Sequence, residues 1–273
     1  MYEAEQMSKS STRSPLLWNF SATPAPEDDA ASSSVEAGVD EAGRGSLCGP
    51  VYAGAVAWGP PDRQRALSSD PRMLLVRDSK KLSAAQRERA RAFIEAEALG
   101  WAVASVSAAD VDRINVLRAS MLAMRRALGA LEGGEHAGSQ PAGFVACRPL
   151  PSSEALSFVV VDGDRFEGHV SRAGELLPYA CVPDGDGLYL SIAAASILAK
   201  THRDALLLEL HARHPLYAWD RNKGYGTADH MRALREHGPC VEHRITFSLP
   251  DRSAREQAAA RPDPLAPRRE AKA

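Results

Sequence analysis

The chain reads as an α/β domain closed by a helical extension. Three observations predict this: short apolar strands mix with helices, helical apolar positions recur every three or four residues, and the last helices form an appended group. A length of 273 residues suits one domain or one domain with a small appendage, and 44% hydrophobic with 25% charged residues is ordinary for a globular chain.

Taken in order, residues 51–58 form an apolar strand after a glycine-rich turn. Ser83 opens a helix with a capping box to Gln86, and Gly100 is expected to end it. Residues 101–107 alternate as a strand. One helix then carries Ile114, Leu117, Met121, Met124 and Leu128 at spacings of 3, 4, 3 and 4, which draws one apolar stripe. Residues 158–161 are a wholly apolar strand running into Asp162. An Ala/Leu-rich helix covers residues 192–213 and stops at Pro215, and a last one covers 228–236 before Gly238-Pro239.

The Ser/Ala/Pro-rich residues 1–35 and the charged, Ala/Pro-rich residues 249–273 read as disordered tails. Between them the expected division is a main domain, 36–205, and a helical subdomain, 206–248. Residues 132–155, with Gly133-Gly134, Gly138, Pro141, Pro149 and Pro151, read as a long surface loop. No stretch approaches the roughly 18 apolar residues of a membrane span, and the start lacks a secretory signal, so a cytoplasmic location is expected. The four cysteines (Cys48, Cys147, Cys181, Cys240) form no CxxC pair and fit a reducing compartment. Net charge is −2, but residues 1–37 hold two basic against six acidic residues, leaving 31 against 29 in the remainder. Charge therefore decides no partner.

The strongest local signal is Val39-Asp40-Glu41-Ala42-Gly43-Arg44-Gly45-Ser46-Leu47-Cys48-Gly49-Pro50. Adjacent acids end an apolar strand, and the glycines allow the backbone to turn so that both serve one site. Asp162 ends the 158–161 strand in the same way. Carboxylate oxygens suit hard cations such as Mg²⁺ or Mn²⁺. Alone, Asp162-Gly163-Asp164 would read as a turn. A dinucleotide-binding reading of Gly43-x-Gly45-x-x-x-Gly49 is weak, because Pro50 and a strand follow where a helix must open.

Asp40-Glu41-Ala42-Gly43-Arg44-Gly45, Asp78-Ser79-Lys80-Lys81-Leu82, Asp112-Arg113-Ile114-Asn115, Val161-Asp162-Gly163, Ser191-Ile192-Ala193-Ala194-Ala195-Ser196-Ile197-Leu198-Ala199-Lys200, Asn222-Lys223-Gly224-Tyr225-Gly226-Thr227 and His243-Arg244 together resemble bacterial ribonuclease HII over about residues 38–248. The resemblance implies a ribonuclease H-like mixed sheet flanked by helices, with a C-terminal helical extension. It implies an endonuclease that cuts RNA in RNA–DNA hybrids and 5′ to single ribonucleotides in duplex DNA, leaving 3′-hydroxyl and 5′-phosphate ends. Asp40, Glu41, Asp162 and Asp186 become the metal-binding acids of a two-metal hydrolysis with Mn²⁺ or Mg²⁺. Asp186 is chosen over Asp184 because it stands six positions before Ile192 and follows Gly185. Gly43, Arg44 and Gly45 would meet the 2′-hydroxyl from the backbone, Tyr225 would pack on the junction sugar, and Lys80, Asn115, Ser196 and Lys200 would hold phosphates.

Other readings stand beside these. Lys80-Lys81 could be a solvated pair, Lys200 could lie along its helix with its charge in water, and Tyr225 could cover core at a turn. A hybrid-binding module without activity is the alternative function. The chain has His243-Arg244-Ile245-Thr246-Phe247 where the family usually has Ser in place of Thr246, which keeps the hydroxyl. His211-x-x-His214 reads as surface rather than metal site. A monomer is expected.

Overall fold

A computed structural model describes residues 16–20, 34–133 and 143–250. The strands are β1 (Ser34–Ala42), β2 (Val51–Ala57), β3 (Gly100–Val106), β4 (Phe144–Arg148), β5 (Ala155–Asp162) and β6 (Tyr179–Val182). They form one mixed sheet in the order β4-β3-β2-β1-β5-β6. Strands β1 to β4 pair antiparallel, while β5 runs parallel to both β1 and β6. The helices are α1 (Pro61–Leu67), α2 (Ala84–Glu97), α3 (Ala108–Ile114), α4 (Val116–Leu131), α5 (Leu190–Arg213), α6 (Trp219–Asn222) and α7 (Ala228–His237).

Helices cover both sheet faces. On one, α4 buries Ala123, Met124, Ala127 and Leu128 against Val39, Ala53, Ala55 and Val161. On the other, α2 and α5 bury Phe93, Ile94, Ala194, Ile197 and Leu198 against Tyr52, Val56 and Val103. Helix α5 lies close to the central strands because the residues it meets are small. A Cβ on Gly54 would come within 2.4 Å of the Ala195 carbonyl oxygen. A third cluster joins Leu207 and Leu210 of α5 to Tyr217, Trp219 and Leu234, and Cys48 of the loop after β1 belongs to it. The boundary expected at 205–206 therefore falls inside one continuous helix. Among the described residues no helix is long and apolar enough to cross a membrane.

The capping box forms as expected: Gln86 N–H donates to Ser83 Oγ at 3.3 Å, and Ser83 N–H to Gln86 Oε1 at 2.8 Å. Elsewhere the structure corrects the expectation. Helix α2 ends at Glu97, and Gly100 opens β3 instead of closing the helix. The stripe beginning at Ile114 is two helices rather than one, since Asn115 takes φ 68° and its side chain caps α4 by accepting from the Arg118 N–H. Residues 144–148, expected in a loop, are the strand β4, which among the described residues pairs only with β3. Periodicity could not reveal a short strand whose partner lies about 40 residues away in sequence.

The expectation of tails fails in part. Ser34 and Val35 belong to β1. Residues 16–20 also dock on the domain, with Trp18 edge-on to Trp58 at 5.9 Å and Phe20 stacked on Phe158 at 5.6 Å. Leu249 packs on the third cluster. Residues 1–15, 21–33, 134–142 and 251–273, over which the disordered-tail and surface-loop expectations extend, lie outside the described residues.

Candidate active site

Register brings the first acids together. In the parallel pair of β1 and β5, Val39 stands opposite Val161, so Asp40 and Asp162 leave neighbouring strands at the same level. The chain passes from β5 through β6 into a 3₁₀ turn, Gly185–Gly187, which carries Asp186 and leads into α5. Asp162 Oδ1 accepts from the Gly185 N–H at 2.7 Å, tying the end of β5 to this turn. Asp186 is buried at 5% exposure, whereas Asp184 is exposed in a left-handed conformation.

The acids are electrostatically crowded. Burial first, then repulsion from Glu41 and Asp162, raises the Asp40 carboxyl well above the usual carboxylate range, while a hydrogen bond from Ser196 opposes the shift. Glu41 is raised by burial against the pull of Arg44, whose Nη1 lies 3.1 Å from its Oε1. Asp162 is raised by burial and by Asp186, against backbone donors at residues 185 and 186. Asp186 Oδ2 is buried and receives no hydrogen bond, although Lys80 Nζ stands 3.6 Å away. Despite the cost of burial, Asp186, Asp40, Asp78 and Asp162 hold the Lys80 ammonium above its ordinary range. Four acids sharing so little positive charge favour a bound cation, and their hard oxygens suit a divalent one. As the side chains stand, no three His, Cys, Asp or Glu residues among those described are gathered in coordinating geometry.

The flanking residues divide between site and scaffold. The 3₁₀ turn Ser79–Lys81 splits its lysines: Lys81 pairs with Asp78, and Lys80 reaches toward the acids. Ser196 is 5% exposed and bonded to Ser79 at 2.9 Å as well as to Asp40, so it braces a carboxylate. Asn115 is exposed at the start of α4 with its carbonyl oxygen engaged in the cap. Lys200 donates to Asp204 at 2.6 Å and lies 6.0 Å from the centre of the Tyr225 ring. Tyr225 is 39% exposed, and a Cβ on Gly45 would lie 3.9 Å from its Cε1. The N–H groups of Arg44 and Gly45 find no acceptor among the described residues. Gly45, Tyr225 and Lys200 thus line one exposed surface beside the acids.

Two arginines that sequence reading left without a role hold this surface. Arg203, fully buried on α5, donates to the carbonyls of Pro50, Lys223 and Cys48 and to Ser46 Oγ, at 2.7–3.2 Å. Its Nε would lie 2.1 Å from a Cβ on Gly43, which also has φ 92°, so only glycine fits there. Arg244, also buried, donates to the carbonyls of Gly49 and Arg44. The signal was an arginine on the buried face of an Ala/Leu-rich helix. Beneath Tyr225, His230 Nε2 accepts from Trp219, so its Nδ1–H donates to the Tyr225 carbonyl at 3.0 Å. His243 Nδ1 accepts from the Cys240 N–H, leaving its Nε2–H to donate to His230 at 3.1 Å. Asp112 accepts from Thr246 Oγ1 at 2.7 Å, so the hydroxyl kept at 246 is used. His211 and His214 do not converge: one faces Asp220 and the other packs on Trp219.

The family model described as Ribonuclease HII matches residues 37–134 and 158–249, a span that includes all four acids. The chain belongs to the ribonuclease HII family. It is accordingly an endoribonuclease, a hydrolase acting on RNA–DNA hybrids. It is 44% identical to the ribonuclease HII of Phocaeicola vulgatus over 215 residues, covering 79% of this chain and 90% of that one. With the ribonuclease HII of Bordetella pertussis it shares 44% over 213 residues, 78% and 88% of the two chains. Among solved structures, ribonuclease H2 from Pyrococcus horikoshii superposes with a TM-score of 0.57 at 21% identity, covering 83% of this chain and all of that one. A ribonuclease HIII solved in complex with Mn²⁺ gives 0.55 at 18% identity, over 84% and 70%. These structural likenesses carry the fold, which is the ribonuclease H-like mixed sheet that the sequence resemblance implies.

Proposed function

We propose that the chain cleaves the phosphodiester bond 5′ to ribonucleotides, in hybrids and at single sites in duplex DNA, with divalent cations held by Asp40, Glu41, Asp162 and Asp186. One observation carries the reading: Asp40, Glu41 and Asp162, all with raised pKa values, gather with the buried Asp186 of a third segment and one nearby ammonium, beside the exposed Gly45–Tyr225 surface. Mg²⁺ or Mn²⁺ bound there would supply the charge that lowers the cost of forming hydroxide and stabilises the leaving 3′-oxygen. The protein's own part is to hold the acids in register, through Ser196 on Asp40 and the Gly185 N–H on Asp162. The N–H groups of Arg44 and Gly45 are placed to meet a 2′-hydroxyl, the group that separates RNA from DNA, and Tyr225 offers a flat face to the sugar. Lys80, Lys200 and Asn115 are the phosphate-facing residues of this reading. Water attacking phosphorus expels the 3′-oxygen, so the products carry 3′-hydroxyl and 5′-phosphate ends.

The test is cleavage of a DNA duplex with one embedded ribonucleotide, mapped to the nucleotide, with Mn²⁺, Mg²⁺ or EDTA. A cut on the 5′ side of the ribonucleotide, abolished by EDTA and by Asp162→Asn while substrate binding persists, is expected. Near-normal turnover of Asp162→Asn in saturating metal would refute the ligand set.

A further inference from the structure

Residues 16–20 precede the segment that the family model matches, which begins at residue 37. They nonetheless attach to the turn that carries Asp186. The Leu17 N–H donates to the Leu188 carbonyl at 2.8 Å, and the Leu190 N–H donates to the Leu17 carbonyl at 2.9 Å. Leu17 thereby forms a parallel bridge to Tyr189, the residue between them. The second bond has a particular value. Leu190 is the first residue of α5, a helix without a side-chain cap, so its N–H has no partner within the helix. Leu17 supplies the missing acceptor.

Neighbouring residues anchor this bridge at several points. Trp18 packs edge-on against Trp58, and Phe20 lies 5.6 Å from both Phe158 and Tyr189. Asn19 and the buried Gln64 exchange amide hydrogen bonds of 3.0 and 3.3 Å, and the Phe20 N–H donates to the Glu36 carboxylate. From the bridge the connection to the acids is short. The Leu188 and Tyr189 N–H groups both donate to the Gly185 carbonyl, and the Gly185 N–H donates to Asp162. Asp186 stands inside that turn with no hydrogen bond to its buried Oδ2. Its position thus depends on the backbone of 185–190 more than on partners of its own.

We infer that residues 16–20 are a positioning arm: by capping α5 and clamping Leu188 they hold the Asp186 turn, and so set how tightly the carboxylate cluster binds its cation. This rests on Asp186 being a ligand. Outer partners of metal ligands are typically worth about 10–100-fold in metal affinity.

The experiment uses the full-length chain without substrate and measures Mn²⁺ affinity by calorimetry, with amide hydrogen exchange at 187–190 and at α7. The variants are Leu17→Pro, Trp18→Ala, Trp18→Phe and Asp186→Asn. The Leu17 side chain is 56% exposed, so proline there removes one N–H donor and little packing. Leu17→Pro and Trp18→Ala should weaken Mn²⁺ about tenfold and speed exchange at 187–190 but not in α7, while Trp18→Phe restores both. Unchanged Mn²⁺ affinity in both arm variants, with Asp186→Asn weakened, would overturn the arm's role even if the melting temperature fell. Unchanged affinity in Asp186→Asn would overturn the ligand reading and the arm's role with it.

Discussion

Two clusters of buried and half-buried polar side chains flank the loop after β1, and they are built on opposite terms. On one side Asp40, Glu41, Asp162 and Asp186 press like charges together; the first three carry raised pKa values and Asp186 an unbonded oxygen. On the other, Arg203, Arg244, His230 and His243 are buried more deeply, yet apart from Arg244 Nη2 each polar atom has a partner. A satisfied network rigidifies the structure, whereas crowded carboxylates cost stability unless something positive joins them. The first cluster is therefore read as machinery and the second as the frame that holds the Gly43–Gly45 backbone and Tyr225 in place.

The sharpest way to break this contrast is within the acids. Asp186→Asn should lower cleavage by at least about a hundredfold, since a bound cation's charge supplies several kcal/mol. Asp184→Asn should leave it near normal, both proteins remaining folded by circular dichroism. The reverse order would mean that the exposed Asp184 is the ligand.

In the frame the loss should be one of stability. Arg203→Met removes the donor shared by three carbonyls and the buried Ser46 hydroxyl, and leaves only that one hydroxyl to serve the Cys48 and Lys223 carbonyls, so about 3 kcal/mol or more should disappear in urea unfolding. A loss below 1 kcal/mol would show that the network is not the support proposed.

The acids should show the opposite sign. Because the Asp40 carboxyl is raised in the folded state, the native chain holds more protons than the unfolded one between the ordinary carboxylate value and the raised one. Stability then falls as pH climbs through that window, and the full cost is present above it. In metal-free protein Asp40→Asn should raise the melting temperature at pH 7 by a few degrees, about 2–4 °C for each kcal/mol. Below about pH 4 the gain should vanish, because both states are then protonated. A melting temperature at pH 7 that is unchanged or lowered would remove the electrostatic argument for a cation site.

The smallest effect expected is at Thr246, where valine deletes one hydrogen bond to Asp112 and should cost about 1 kcal/mol, while serine should cost less. A larger loss for serine than for valine would point to the Thr246 methyl group instead of its hydroxyl.

Legibility follows the reach of each signal. The capping box at Ser83 and the 228–237 helix are written within a few residues, and both formed. Asp186 was reached by counting back from Ile192 in the resembling motif, and the structure separates it from Asp184 by burial. Ser196 was expected at a phosphate because the resemblance implied it, and a string of letters does not say whether a serine is buried. Its hydroxyl closes a chain from Ser79 to Asp40. The docking of Trp18 was missed because residues 1–35 are polar on average, and a single tryptophan needs only one facing ring.

By itself the sequence determined the α/β alternation, the strand-end acids and the family, because local periodicity, caps and motif order lie within reach of neighbouring residues. Only the tertiary structure decided that β4 pairs with β3, that Asn115 divides a helical stripe, and that Arg203 and Arg244 grip the loop after β1. Only it decided that Leu17 caps a helix more than 170 residues away in sequence. Backbone N–H and carbonyl groups are the same on nearly every residue, so which of them meet depends on the packing of side chains around them.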